Sequence, residues 1–170
     1  LDSYNTERKA IEALVLEEAI TQAEATGAAS EPVIMVAGEG WHPGVIGIVA
    51  GRLKERYYRP TAVIAIENGI GKASARSISG VDLGSAVTAA RAEGYLLAGG
   101  GHAMAAGFTL SMDNFPLFKT FITERLEAAV ATHGAVQTLT LEGILTASGA
   151  TLALVKQLER LGPFGVGNPE

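Results

Sequence analysis

The densest chemistry in this sequence lies in Gly99-Gly100-Gly101-His102-Ala103-Met104-Ala105-Ala106-Gly107-Phe108. Three consecutive glycines weaken a helix or strand by about 0.5–1 kcal/mol each relative to Ala. They do permit positive φ and close approach of backbone amides to a ligand. Successive amides in such a turn form a concave nest suited to phosphate or another oxyanion. His102 adds a side-chain donor at once. A tight turn with an ordinary surface histidine is the plain alternative.

A second cluster is Lys72-Ala73-Ser74-Ala75-Arg76-Ser77. Strand side chains repeat every two residues, so Ser74 and Arg76 share a face. Two donors on one side suit a phosphate, and an exposed edge with Arg76 in a salt bridge is the competing reading. No His/Asp partner accompanies Ser74 or Ser77, so both are read as hydrogen-bond donors and not as nucleophiles. A third cluster is Gly40-Trp41-His42-Pro43-Gly44-Val45-Ile46-Gly47-Ile48-Val49-Ala50. Trp41 there either stacks on a base or fills a core.

Other chemistry is excluded. The chain has no Cys, so disulfide and thiolate-metal frameworks are ruled out. Its histidines, at 42, 102 and 133, lack metal-ligand spacing. The phosphate loop of nucleotide-binding proteins is absent. No apolar run approaches the roughly 20 residues of a membrane span, and no signal peptide pattern opens the chain. These features point to a cytoplasmic protein with no membrane partner.

The elements that must position these clusters follow from periodicity. Hydrophobic residues make up 48% and charged ones 18% of 170, enough for one domain with a core and part of a second. Residues 4–26 read as one long helix, ended by Gly27 and Pro32. Residues 33–37 read as a buried strand, 38–44 as a loop and 45–58 as a helix. Strands follow at 61–66 and 70–78, joined by a hairpin turn at Asn68-Gly69. Asp82 caps a helix running to Glu93, and 99–101 form the glycine loop. A strand at 106–110 and a helix at 115–132 come next. His133-Gly134 marks a boundary before a strand at 137–146, a helix at 152–161 and a Gly/Pro tail. This order predicts an α/β fold, a mixed sheet flanked by helices. A doubly wound dinucleotide fold is weaker, since no Gly-x-Gly-x-x-Gly joins a first strand to a helix.

Net charge is −5, against non-specific wrapping in nucleic acid. Residues 1–39 carry eight acids and two bases, whereas 51–76 carry six bases and two acids. That basic stretch can still grip a short length of phosphate backbone. The competing reading gives Arg52, Lys54, Arg56 and Arg59 to the helix dipole.

The three clusters, in this order, resemble the DHHA1 domain of DHH phosphoesterases, in the form found in RecJ-like single-stranded-DNA-specific exonucleases. The final Gly162-Pro163-Phe164-Gly165-Val166-Gly167-Asn168-Pro169-Glu170 is similar to a segment of the same family. The resemblance implies a connector helix at 1–30, a DHHA1 domain at 31–134 and a truncated OB-like domain opening at 135–170. It implies that Gly99, Gly100, Gly101, His102, Ser74, Arg76 and Ser77 receive phosphates of single-stranded DNA, with His42 at the cleft edge. It further implies an exonuclease of DNA repair and recombination whose DHH domain, the partner in cis, holds Mn²⁺ or Mg²⁺. No cofactor or catalytic residue is then expected in this chain, which by itself would be inactive. Two alternatives remain: a DHHA1 domain of an oligonucleotide or cyclic-dinucleotide phosphodiesterase, and an RNA-binding module as in alanyl-tRNA synthetases.

Overall fold

The computed structural model describes residues 2–134 and 143–164, with side chains from residue 5. Two compact units divide the chain, residues 1–137 and 138–170.

In the first unit, helix α1 (Asp2–Ala25) leads to strand β1 (Ile34–Glu39), helix α2 (Pro43–Tyr57) and the hairpin β2 (Thr61–Glu67)–β3 (Ile70–Arg76). Helix α3 (Leu83–Ala92), hairpin β4 (Ala98–His102)–β5 (Ala105–Ser111) and helix α4 (Phe115–His133) complete it. The five strands lie in the order β1-β2-β3-β5-β4. Only β1 and β2 run parallel, with α2 as their crossover; the other pairs are antiparallel. The mixed sheet flanked by helices is as the sequence predicts, and the doubly wound alternative is excluded.

Local chemistry explains the joints. Asn68 and Gly69 both have positive φ, 50° and 76°, which a two-residue hairpin needs for its twist. His42 caps α2 through Nδ1, which accepts the Gly44 amide at 3.0 Å, and Pro43 occupies the first turn. The helix therefore starts two residues before the expected Val45. Asp82 caps α3 by accepting from the Ser85 amide and hydroxyl.

The core has two layers. On one sheet face Val15, Ala19 and Ala23 of α1 join Val45, Val49 and Leu53 of α2 over Ile34, Val36 and Val63. On the other, Phe118, Ile122, Leu126 and Val130 of α4 and Val87 of α3 cover Ile64, Ala75, Phe108 and Leu110. Phe108 and Phe118 meet with ring centroids 4.8 Å apart. Fully burying a side chain of this size contributes about 1.5–3 kcal/mol. Helix α1 thus belongs to the same compact unit as the sheet. It also closes the open side of β1: the Gln22 amide donates to Ala37 O at 3.0 Å and accepts from Ala37 N at 2.8 Å. A side chain here replaces the missing strand neighbour.

The glycine run corrects one expectation. Gly99, Gly100 and Gly101 form no loop and no nest; they lie in strand β4, paired in register with Phe108, Gly107 and Ala106. None of the three has positive φ. Their small size serves packing. A Cβ on Gly99 would sit 3.0 Å from Phe108 and 3.1 Å from Val87, and one on Gly101 would strike the Ala105 carbonyl.

In the second unit, helix α5 (Leu152–Leu158) and a short 3-10 turn cover the expected 152–161 helix. Most of the strand expected at 137–146 lies outside the described residues; its described part, 143–146, is irregular. The tail at 165–170, and with it the OB-like reading of this segment, also falls outside.

Candidate nucleic-acid interface

Sheet register brings the separate clusters together. Ser74 pairs with Gly107, which pairs with Gly100; Arg76 pairs with Ala105, which pairs with His102. Lys72, Thr109 and Ala98 form a third row. Alternation places all three rows on the face that α2 covers at β1–β3. Over β5 and β4 no helix among the described residues lies on this face, and Gly107, Ala98 and His102 are exposed. The result is a shelf about two strand spacings, roughly 10 Å, wide. Its floor is Gly107 and Gly100, its wall is α2, and His102 stands at the far rim. A Cβ on Gly100 would point into open space.

Lys72, Ser74 and Arg76 run along the foot of the wall, at successive intervals of about 6.8 Å. Arg76 is held from one side: its Nη1 donates to Ser74 Oγ at 3.1 Å and to Ala75 O at 3.0 Å. No carboxylate among the described residues pairs with Arg76 or Lys72. The expected alternative of an Arg76 salt bridge is therefore absent from the described structure. Helix α2 comes this close because residue 47 is Gly; a Cβ there would sit 3.1 Å from Ser74 Oγ and 3.2 Å from Arg76 Nη2. His42, at the N-terminus of α2, shares a cleft of about 270 Å³ with Lys72, Trp41 and Glu67.

Two sequence-predicted participants lie elsewhere. Ser77 is 1% exposed, and its hydroxyl donates to Val81 O at 2.7 Å. It does not reach the shelf. Trp41 is 7% exposed, packs on Gly38, and donates Nε1–H to Glu18 Oε2 at 2.6 Å. A buried indole cannot stack on a base.

The basic stretch is likewise divided. Arg52 lies 4.0 Å from Glu12 and Arg56 3.2 Å from Glu24, both on α1. Lys54 lies 3.9 Å from Glu55, and Arg59 donates to Gly134 O at 2.9 Å. Arg52, Arg56 and Arg59 tie elements of the unit together and Lys54 pairs within its own helix, which leaves Lys72 and Arg76 as the shelf's cations. Sequence reasoning places Lys72 only within the basic stretch and gives Gly47 and Gly107 no individual role. Their signals were the alternation of 72 with 74 and 76, and glycines inside regular elements.

The arrangement suits an extended polyanion: two cations, a hydroxyl and two histidines around a floor that backbone or sugar can approach. Among the described residues no three His, Asp or Glu side chains converge to hold a metal ion.

Comparison with known proteins identifies the family and the fold. The DHHA1 domain family matches residues 30–128. The chain is 34% identical over 172 residues to the single-stranded-DNA-specific exonuclease RecJ of Bacillus subtilis, covering 100% of this chain and 22% of that protein. It is 37% identical over 172 residues to RecJ of Thermus thermophilus, covering 100% of this chain and 24% of that protein. Crystal structures of Thermus thermophilus RecJ superpose with TM-scores of 0.78 for the Mg²⁺ complex and 0.79 for the Mn²⁺ complex. Identities are 32% and 34%, covering 98% of this chain and 25% and 24% of those chains. The chain spans about a quarter of the length of these relatives. The described residues provide no ligand set for the Mg²⁺ or Mn²⁺ of those structures. With the family matched over more than half its residues, and the same mixed sheet between helices as in RecJ, this chain belongs to the DHHA1 domain family.

Proposed function

We propose that the shelf between α2 and β4 binds the phosphate backbone of single-stranded DNA in a RecJ-type exonuclease. The observation that carries this reading is Arg76, fixed by Ser74 Oγ and Ala75 O, without a carboxylate partner among the described residues, beside a floor of Gly107 and Gly100. A guanidinium so held keeps donors free for a phosphate's oxygens and loses little side-chain entropy on binding. Lys72, His42 and His102 line the same path. The names of the relatives, which are single-stranded-DNA-specific exonucleases, supply the substrate class.

In this reading bond cleavage belongs to a DHH domain in the same protein, acting in the cytoplasm in DNA repair and recombination. That domain holds Mn²⁺ or Mg²⁺, which supplies an activated water for attack on the phosphodiester. This chain's residues hold and orient the strand. The test is binding of fluorescein-labelled oligothymidylate by anisotropy, in increasing salt, for the wild-type chain and Arg76→Ala. Weaker binding with a shallower salt dependence supports the reading. Unchanged affinity and slope in a folded variant, or a preference for RNA over DNA, overturns it.

A further inference from the structure

Glu18 touches nothing on the shelf, yet it grips the turn that carries the shelf's wall. Its Oε2 accepts the Trp41 indole N–H at 2.6 Å. Four positions on along the same helix, Gln22 holds both backbone groups of Ala37. Helix α1 therefore holds residue 37 of β1 and residue 41 within the turn between β1 and α2. Gly40 within that turn has φ 75°, and Gly38 lies directly under the Trp41 ring. His42, the next residue, caps α2 and lines the cleft with Lys72.

We propose that Glu18 is a positioning residue for the nucleic-acid shelf. Through Trp41 it fixes where His42 and the first turn of α2 stand relative to Lys72, Ser74 and Arg76. This inference rests on the shelf reading above and adds its control by α1. Removing Glu18 takes away the acceptor that holds the part-buried Trp41 N–H in place, and with it one restraint on the turn. The wall moves with it, because Gly47 leaves only contact distance between α2 and the Ser74–Arg76 pair. The charge of Glu18 is not what matters: an acceptor oxygen at that place suffices.

Trp41 is the chain's one tryptophan, so its emission reports on the latch directly. The test measures oligothymidylate affinity, its salt slope and Trp41 emission for wild type, Glu18→Ala, Glu18→Gln and Arg76→Ala, each checked for folding by circular dichroism. Glu18→Ala should weaken binding by roughly tenfold, the scale seen for residues coupled to a site they do not touch. Its salt slope should match wild type, and its Trp41 emission should shift. Glu18→Gln, which keeps an acceptor oxygen, should restore affinity and emission. Trp41→Phe removes the donor, keeps a ring in the core, and should reproduce the affinity loss if Glu18→Ala fails to fold. A folded Glu18→Ala, or Trp41→Phe, that binds as wild type while Arg76→Ala binds weakly overturns the latch and leaves the shelf standing. Unchanged binding in Arg76→Ala overturns the shelf, and the latch with it.

Discussion

Ser74 and Arg76 lie two residues apart on β3 and are joined by a 3.1 Å hydrogen bond from Nη1 to Oγ. The serine orients the guanidinium, and a second bond to Ala75 O fixes the same nitrogen. Arg76→Ala removes one charge-assisted contact, of roughly 1.5–3 kcal/mol. It should lower the salt slope of single-strand binding by about 0.7. Ser74→Ala keeps the charge and loosens its aim, so affinity should fall less, with the slope unchanged. Salt titrations of anisotropy separate the two.

The neighbouring glycines should respond differently to substitution. Gly100 has open space where a Cβ would go and no positive φ. Gly100→Val should therefore fold with an unaltered melting temperature and lose affinity by filling the floor. Gly101→Ala drives its Cβ into the Ala105 carbonyl and the Ala106 backbone, an overpacking cost of about 1–3 kcal/mol. Melting curves beside binding isotherms distinguish a ligand surface from a packing requirement. A destabilised Gly100→Val would contradict the open floor.

Stability should fall in acid partly through Asp82. Hydrogen bonds from the Ser85 amide and then the Ser85 hydroxyl hold its carboxyl below the ordinary 3.8. A folded-state value below the unfolded one means stability that is fully present above about pH 4. It is lost as pH falls through the lowered value. Asp82→Asn keeps a capping oxygen and removes that titration. Its melting temperature should fall less than that of wild type between neutral pH and pH about 3. Parallel acid profiles would refute the assignment.

Metal binding offers a separate check. The described residues converge no three potential ligands. The 170-residue chain should show no stoichiometric micromolar Mn²⁺ or Mg²⁺ site by calorimetry. With either metal added, it should leave single-stranded DNA uncut. A stoichiometric site or measurable hydrolysis would place metal chemistry in this chain.

Element order and type are legible in the sequence wherever the signal is local. Asn68-Gly69 encodes its turn in two residues, Asp82 marks a helix start, and the apolar spacing of 45, 46, 49 and 53 marks the buried side of α2. The alternation of 74 and 76 likewise placed two donors on one face. Tertiary structure decided the rest. Gly99–Gly101 read locally as a loop, because glycine disfavours strands. Pairing with β5 and the approach of α3, where Gly84 leaves room for the His102 backbone, make them a strand. Ser77 reads as an available donor until the fold buries it against Val81. Trp41 becomes a core residue because α1, β1 and α2 pack into one apolar cluster around it, and Glu18, 23 positions away, reaches its indole nitrogen. Arg52 and Arg56 of α2 face carboxylates of α1, whereas Lys72 and Arg76 meet no carboxylate among the described residues. Periodicity reports which face of an element is buried, but a long-range partner is set by how the faces meet, and only the assembled sheet and helices specify that.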